Sequence, residues 1–138
     1  MRKLFLLAPL FATLLAGCVD DTASYRIDER EHSLVVRVVQ DAFWSKDATL
    51  RLIVTRMPDC QRQYDLGKVA LSDLEIELFA SGPDQYTLRA DDEVWKVETG
   101  SCGRLEAPDA NAVTGQALGS FHFNEADKLV FVAATPST

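Results

Sequence analysis

The sequence predicts a single small all-β domain, an antiparallel β-sandwich or barrel of about seven strands held by one disulfide. Three observations point to this fold class. Apolar and polar residues alternate with a period of two in several short segments, which is the pattern of half-buried strands. Turn-forming residues separate those segments at the spacing typical of sandwiches and small barrels. No window repeats every 3.6 residues over a helical length, and a chain of 138 residues suits one domain.

The first two predicted strands cover residues 33–40 and 48–57. Each carries aliphatic residues at every second position, so one face of each strand is apolar. Residues 41–47 lie between them and end in turn-forming residues, which predicts a hairpin loop.

The clearest hairpin is predicted at residues 85–90 and 93–99. Asp91 and Asp92 supply a tight turn between two alternating segments. Both arms alternate aromatic or aliphatic residues with polar ones, as expected of strands with one buried face. Three further strands are predicted at residues 74–80, 119–123 and 128–133.

Two segments between these strands are irregular. Residues 67–78 are ambiguous, because their apolar positions would support one or two helical turns before the next strand. Residues 106–118 contain proline, asparagine and glycine and predict a surface loop. The predicted β domain therefore spans residues 33–134, and residues 135–138 form a frayed C-terminus.

The N-terminus has the composition of an export signal. Arg2 and Lys3 form a positive start, and an apolar run of 12 residues follows at 4–15. A membrane-spanning helix needs about 20 apolar residues, so the run is too short to span a bilayer. Small residues then precede Cys18. Residues 1–17 are therefore predicted to be a signal peptide outside the fold.

The segment Leu15-Ala16-Gly17-Cys18 resembles the lipobox of bacterial lipoproteins. The resemblance implies that the Cys18 thiol is diacylated, that cleavage occurs before Cys18, and that many bacteria add a third chain to the new amine. Two or more acyl chains anchor a protein stably. Residues 18–32, which are polar and charged, are then a lipidated N-terminus and flexible tether, with a first strand around residues 25–27 as the alternative within this segment. The alternatives are a plain secretory signal with a chance cysteine, or an N-terminal membrane helix.

The residue after the lipidated cysteine predicts the membrane. In Gram-negative lipoproteins, an Asp directly after the cysteine resembles an inner-membrane retention signal. This chain has Val19 there, and its acids begin only at Asp20. The resemblance therefore predicts that the protein is located in the cell envelope, anchored to the outer membrane on its periplasmic side.

The charge balance excludes some partners. The chain carries −7 overall, and removing residues 1–17 takes away two basic residues and no acids, which leaves −9. Nucleic-acid binding needs a basic surface, so no nucleic-acid partner is predicted. Anionic lipid would also repel the domain, so membrane attachment must depend on the acyl chains on Cys18.

The cysteine count fits an exported lipoprotein. Three cysteines would leave one unpaired, but lipidation of Cys18 leaves Cys60 and Cys102. An oxidising compartment favours a disulfide between them, which would close a loop of about 43 residues. The alternatives are two free buried thiols or a metal pair, and the pair lacks further Cys or His at ligand spacing.

Residue patterns for catalysis or metal binding are weak. His32 lies among charges, and His122 alternates with two phenylalanines, which predicts that it faces solvent. No nucleophile elbow or glycine-rich phosphate loop is present in the sequence. The acidic run 91–93 could bind Ca²⁺ weakly, but a solvated hairpin tip is the favoured interpretation. No cofactor, catalytic residue or metal site is predicted.

Two surfaces are candidates for partner contact. Phe43 and Trp44 lie in a predicted hairpin loop, where they either tuck onto the core, the commoner outcome, or anchor a partner. Arg56 and Arg62 flank Cys60 in an acidic chain. A disulfide-fixed loop with two arginines could bind a carboxylate or phosphate, although such arginines more often pair with neighbouring acids.

The leading functional prediction is a membrane-anchored periplasmic lipoprotein that acts without catalysis. It would be a binding or structural accessory module that contacts another envelope protein. One alternative is a periplasmic lipoprotein that looks like the small β-barrel lysozyme inhibitors, a resemblance of size, anchor and disulfide alone. Another is a hydrolase that uses carboxylates without a recognised motif.

Overall fold

The computed structural model describes residues 18–135, and these form ten β-strands in two antiparallel sheets. One short 3-10 turn, Ala110–Ala112, lies between β8 and β9. No helix within the described range is long and apolar enough to cross a membrane. The strands are β1 (Asp20–Arg26), β2 (His32–Val39), β3 (Asp47–Arg56), β4 (Cys60–Ala70), β5 (Glu75–Gly82), β6 (Gln85–Ala90), β7 (Glu93–Glu98), β8 (Gly103–Leu105), β9 (Gln116–Phe123) and β10 (Leu129–Ala133).

The two sheets enclose one hydrophobic core. One sheet has four strands in the order β1-β2-β3-β4, and the other has six in the order β10-β9-β5-β6-β7-β8. Alternate residues of both sheets are buried together in a single cluster. The all-β prediction is confirmed, with ten strands where about seven were expected. The fully buried large apolar side chains are Leu34, Val36, Val38, Leu50, Leu52, Val54, Ile76, Leu78, Leu88, Val97 and Phe121.

The sheets are joined along both pairs of edges. On one side, the Leu129 N–H of β10 donates to the Asp21 carboxylate of β1 at 2.8 Å. Aromatic rings reinforce this edge, since Tyr25 and Phe131 have centroids 5.0 Å apart. On the other side, the predicted disulfide is present and joins Cys60 in β4 to the turn before β8.

The tether expected at residues 18–32 is not what the structure shows over most of that range. Strand β1 pairs along its whole length with β2, from Asp20 opposite Val39 to Arg26 opposite Ser33. The inward positions of β1 are only half-buried, and they include an aspartate. A strand at a sheet edge can be this polar because half of its surface remains in water. The folded domain therefore begins two residues after Cys18.

The ambiguous segment 67–78 ends one strand and begins the next, because residues 67–70 belong to β4, residues 71–74 form a turn and residues 75–78 belong to β5. β4 continues to Ala70, and its pairing register with β3 shifts by one residue at a bulge near Gly67. Gly67 has a φ of 94°, a conformation that favours glycine. The bulge moves the inward positions, so that Leu66 and Val69 are both buried. Because the bulge shifts the alternation of apolar and polar residues by one position, the sequence of β4 does not show the pattern of a single strand.

The other predicted boundaries agree closely with the structure. The hairpin at 85–90 and 93–99 corresponds to β6 and β7, whereas β9 begins at Gln116, three residues inside the loop predicted at 106–118. The short β8 was not predicted. The predicted signal peptide at 1–17 and residues 136–138 of the predicted frayed end lie outside the described residues.

Candidate functional site

The loop between β2 and β3, residues 40–46, presents two large aromatic side chains to solvent. Phe43 is 71% exposed and Trp44 is 74% exposed. Their rings meet edge to face, with centroids 4.8 Å apart and planes at 84°. The expectation that both side chains tuck onto the core is therefore wrong. Exposed neighbouring aromatics are typical of contact surfaces, and we call residues 40–46 the aromatic loop.

Hydrogen bonds fix the backbone of the aromatic loop. The Gln40 side-chain amide donates to the Ser45 carbonyl oxygen at 2.6 Å and to the Phe43 carbonyl oxygen at 3.4 Å. The Ser45 N–H donates to the Ala42 carbonyl oxygen at 3.0 Å, which closes a tight turn around the two aromatic residues. The aromatic rings are therefore displayed on a fixed backbone, and little ordering would be needed on binding.

The same glutamine joins the aromatic loop to the start of β1. The Val19 N–H donates to Gln40 Oε1 at 3.1 Å, and the Gln40 N–H donates to the Val19 carbonyl oxygen at 2.7 Å. Cys18, which is exposed and has a free thiol, thus lies next to the base of the aromatic loop. The sequence did not reveal this role, because a polar residue that follows a strand carries no distinctive signal.

Apolar side chains surround the base of the aromatic loop. The Leu71 N–H donates to the Lys46 carbonyl oxygen at 2.9 Å and brings the β4–β5 turn beside the loop. Val19, Leu71 and Phe123 are half-buried and line a shallow depression together with Asp127. The end of the sandwich that holds Cys18 therefore combines two exposed aromatics with a partly apolar surface.

Charge near the aromatic loop is locally balanced. The Lys68 ammonium group pairs with the Asp41 carboxylate and donates to Thr49 Oγ1 at 3.1 Å. The pair is more than half exposed, so it contributes little to stability, but it cancels the one acid that precedes the aromatics within the loop. The acidic residues 91–93 are exposed at the same end, on the β6–β7 hairpin of the other sheet.

The disulfide lies at the opposite end of the sandwich. Cys60 and Cys102 have Cα atoms 6.0 Å apart, and the Tyr64 hydroxyl donates to the Cys102 carbonyl oxygen. Cys102 has a φ of 58°, a left-handed conformation within its turn. The Arg104 guanidinium lies 5.8 Å from the centroid of the Tyr64 ring, so β4 and β8 are linked by more than the covalent bond.

The two arginines beside Cys60 are placed differently. Arg56 ends β3 and donates to the Asp84 carboxylate at 3.1 Å, so it pairs with a neighbouring acid. Arg62 is exposed on β4. The anion site predicted for the two arginines stays a prediction. To bind an anion there, the Arg56 guanidinium would have to break its ion pair with Asp84.

The two histidines lie on different sheets. His32 is 6% exposed, and its Nδ1 lies 3.1 Å from the Asp28 carboxylate, while its Nε2 has no hydrogen-bond partner. His122 is half-buried, so the expectation that it faces solvent holds only in part, and its Nδ1 lies 3.4 Å from Ser120 Oγ. Within residues 18–135, no group of three or more His, Cys, Asp or Glu residues could hold a metal ion.

Three carboxylates have pKa values below their ordinary range because they accept hydrogen bonds. The Arg37 side chain lowers the pKa of Asp20, and the His32 side chain lowers the pKa of Asp28. The Ser101 hydroxyl and nearby backbone N–H groups lower the pKa of Glu98. A carboxyl group that donates a proton at neutral pH needs a raised pKa, which is the opposite shift.

Comparisons of the chain with protein-family models, with curated proteins and with solved structures find no match. The function is therefore inferred from the residues and contacts of the chain itself.

Proposed function

We propose that this protein is a lipid-anchored lipoprotein of the bacterial cell envelope, whose β domain is a non-enzymatic binding or structural module. The observation that carries the proposal is the state of the three cysteines. Cys60 and Cys102 are joined, while Cys18 is exposed, unpaired and placed two residues before the first strand. A disulfide favours an oxidising compartment, and an exposed thiol at a lipobox position is accessible to acylation.

The charge of the domain supports an acyl anchor. The processed chain would carry −9, and a surface this acidic does not seek anionic lipid. Acyl chains supply the attachment that electrostatics cannot, at about 0.8 kcal/mol for each buried CH₂ group.

The carboxylates support a binding role over a hydrolytic one. Asp20, Asp28 and Glu98 are held in their ionised form by hydrogen bonds that lower their pKa values. Glu77 is paired with Arg89 at 2.6 Å. All four carboxylates make local structural contacts, and the lowered pKa values of Asp20, Asp28 and Glu98 do not suit a general acid.

Metabolic labelling with a clickable fatty acid tests the anchor. The wild-type protein should incorporate the label and lose residues 1–17, as measured by mass spectrometry of the N-terminal peptide. Cys18→Ser is the matched control and should remain unlabelled and unprocessed. A wild-type protein that is exported, disulfide-bonded and unlabelled would refute the proposal.

Membrane sorting tests the choice of membrane. Wild-type protein should fractionate with the outer membrane on a density gradient, because Val19 follows the anchor residue. Val19→Asp should move it to the inner membrane if the retention signal operates. Inner-membrane location of the wild type would overturn the outer-membrane part of the proposal.

A further inference from the structure

We infer that Phe43 and Trp44 insert into the interfacial layer of the same phospholipid bilayer that holds the acylated Cys18, so that the domain docks on the membrane surface. This inference rests on the proposed acylation of Cys18. It adds a second, non-covalent membrane contact and a fixed orientation of the sandwich.

The short distance between anchor and aromatics is the first support. Val19 and Gln40 exchange backbone and side-chain hydrogen bonds, at 2.7 and 3.1 Å, so the residue after Cys18 is fixed to the base of the aromatic loop. A chain extends at most about 3.6 Å per residue, so the Trp44 Cα lies within about 14 Å of the Gln40 Cα. An acyl anchor at Cys18 therefore holds Trp44 within reach of the bilayer surface.

The second support is the short distance along the chain between Cys18 and the first strand. β1 begins at Asp20 and pairs with β2 from that residue onward. Only Cys18 and Val19 lie between the acyl chains and the paired strand β1. This linker is too short to hold the domain at a distance from the lipid. The end of the sandwich that holds the aromatic loop must face the headgroups.

The chemistry of the two side chains is the third support. Tryptophan is enriched where a membrane meets water, because its ring is largely apolar while its N–H group can bond to headgroups or water. Phe43 packs edge to face against Trp44, so both rings form one apolar projection. Lys68 on β4 pairs with Asp41 of the aromatic loop and cancels its charge. This lowers the free-energy cost of bringing the loop to the lipid.

The acidic hairpin tip fixes which side of this end approaches the bilayer. Residues 91–93 lie at the same end of the molecule but on the six-stranded sheet, and all three are exposed. Anionic headgroups would repel them. The contact is therefore confined to the corner formed by β1, β2 and β3, and it should form on neutral lipid.

Quenching of Trp44 by brominated lipid tests the inference with the full, acylated protein. The protein would be reconstituted in phosphatidylcholine vesicles with and without bromine on the acyl chains, and Trp44→Phe would be measured in parallel. Trp44 is exposed, so this variant should fold, and the difference spectrum isolates Trp44 from the buried Trp95. We expect the Trp44 emission to shift to shorter wavelength and to lose intensity with brominated lipid.

A tryptophan at the far end provides the matched control. Met57 is 42% exposed and lies just beyond the distal end of β3. Met57→Trp in the Trp44→Phe background should show no quenching by brominated lipid. Equal quenching at both ends would refute the fixed orientation.

The outcomes separate this inference from the proposed function. If mass spectrometry finds no acyl chains on Cys18, the proposed function fails first. If the protein is acylated and floats with vesicles but Trp44 is not quenched, the membrane contact is refuted while the anchor stands. A photocrosslinker at position 44 that captures an envelope protein in cells, with no quenching in vesicles, would likewise overturn the inference and assign the aromatic loop to a protein partner.

Discussion

Removal of the disulfide should destabilise the domain by about 4 kcal/mol. Cys60 and Cys102 are separated by 42 positions, and the chain-entropy model assigns about 4 kcal/mol to closing a loop of this length in the unfolded state. A domain of this size has a total free energy of unfolding of about 5–15 kcal/mol. The double substitution Cys60→Ala/Cys102→Ala should therefore remove a large share of that stability.

Urea unfolding followed by tryptophan fluorescence measures this loss. Trp95 is 5% exposed and reports the core, while the exposed Trp44 should change little. All variants would carry Cys18→Ala and lack residues 1–17, so that no free thiol can exchange with the disulfide. Reducing the disulfide in the parent protein should give the same loss as the double substitution. A loss below about 1 kcal/mol in both would show that packing of Tyr64 and its neighbours, rather than the covalent constraint, holds β4 to β8.

Three further predictions concern the six-stranded sheet. Gly119→Ala should cost about 3 kcal/mol or more in thermal melts, since its Cβ would lie 2.2 Å from the Val132 carbonyl oxygen; a neutral effect would refute this close approach. A serine hydroxyl lowers the folded-state pKa of Glu98, so the ionised group stabilises the fold above its ordinary pKa of 4.5, and that stability is lost as the pH falls through the lower folded value. Glu98→Gln should therefore flatten the stability profile on the acid side, and an unchanged profile would contradict this. Arg89 donates to a carbonyl oxygen of loop 106–115 at 3.0 Å, so Arg89→Ala should speed limited proteolysis there, whereas an unchanged cleavage rate would show that the loop is held by other contacts.

The strands that could be predicted are those whose inward positions are mostly apolar. In β2, the buried residues Leu34, Val36 and Val38 alternate with half-buried ones, and the sequence shows that pattern directly. The inward positions of β1 include Asp21, which accepts the Leu129 N–H and so has a structural use that a hydropathy pattern does not register. The sequence of β1 therefore predicts a tether, with a short strand around residues 25–27 as the alternative.

β4 and β8 were missed for different physical reasons. The positions of β4 on the same face as the buried residues of β3 begin with a half-buried cysteine and an exposed arginine, and a bulge at Gly67 then changes the phase of the alternation. β8 is only three residues long, Gly103–Leu105, and is too short to show any period. Both strands lie at sheet edges, where partner strands and the disulfide supply the order that local sequence does not.

The aromatic loop was identified from sequence, but its surroundings were not. Large aromatics between two strands drew attention to Phe43 and Trp44, and only the structure decided between a buried and an exposed position. The contact between Gln40 and Val19 depends on the pairing of β1 with β2, which the sequence did not predict. The juxtaposition of anchor and aromatics is thus a consequence of the strand mistaken for a tether.

The proposed orientation determines which surface another envelope protein would meet. The strands of the four-stranded sheet would rise from the membrane, and the eight residues of β2 extend about 26 Å at roughly 3.3 Å per residue. The disulfide, the Arg56–Asp84 pair and the exposed Arg62 would then lie at the end farthest from the lipid. If the aromatic loop is occupied by lipid, a partner that approaches through the periplasm must use this distal end or the sheet faces. Screening for partners should therefore begin with substitutions at Arg62, whose side chain is accessible there, and leave the aromatic loop intact.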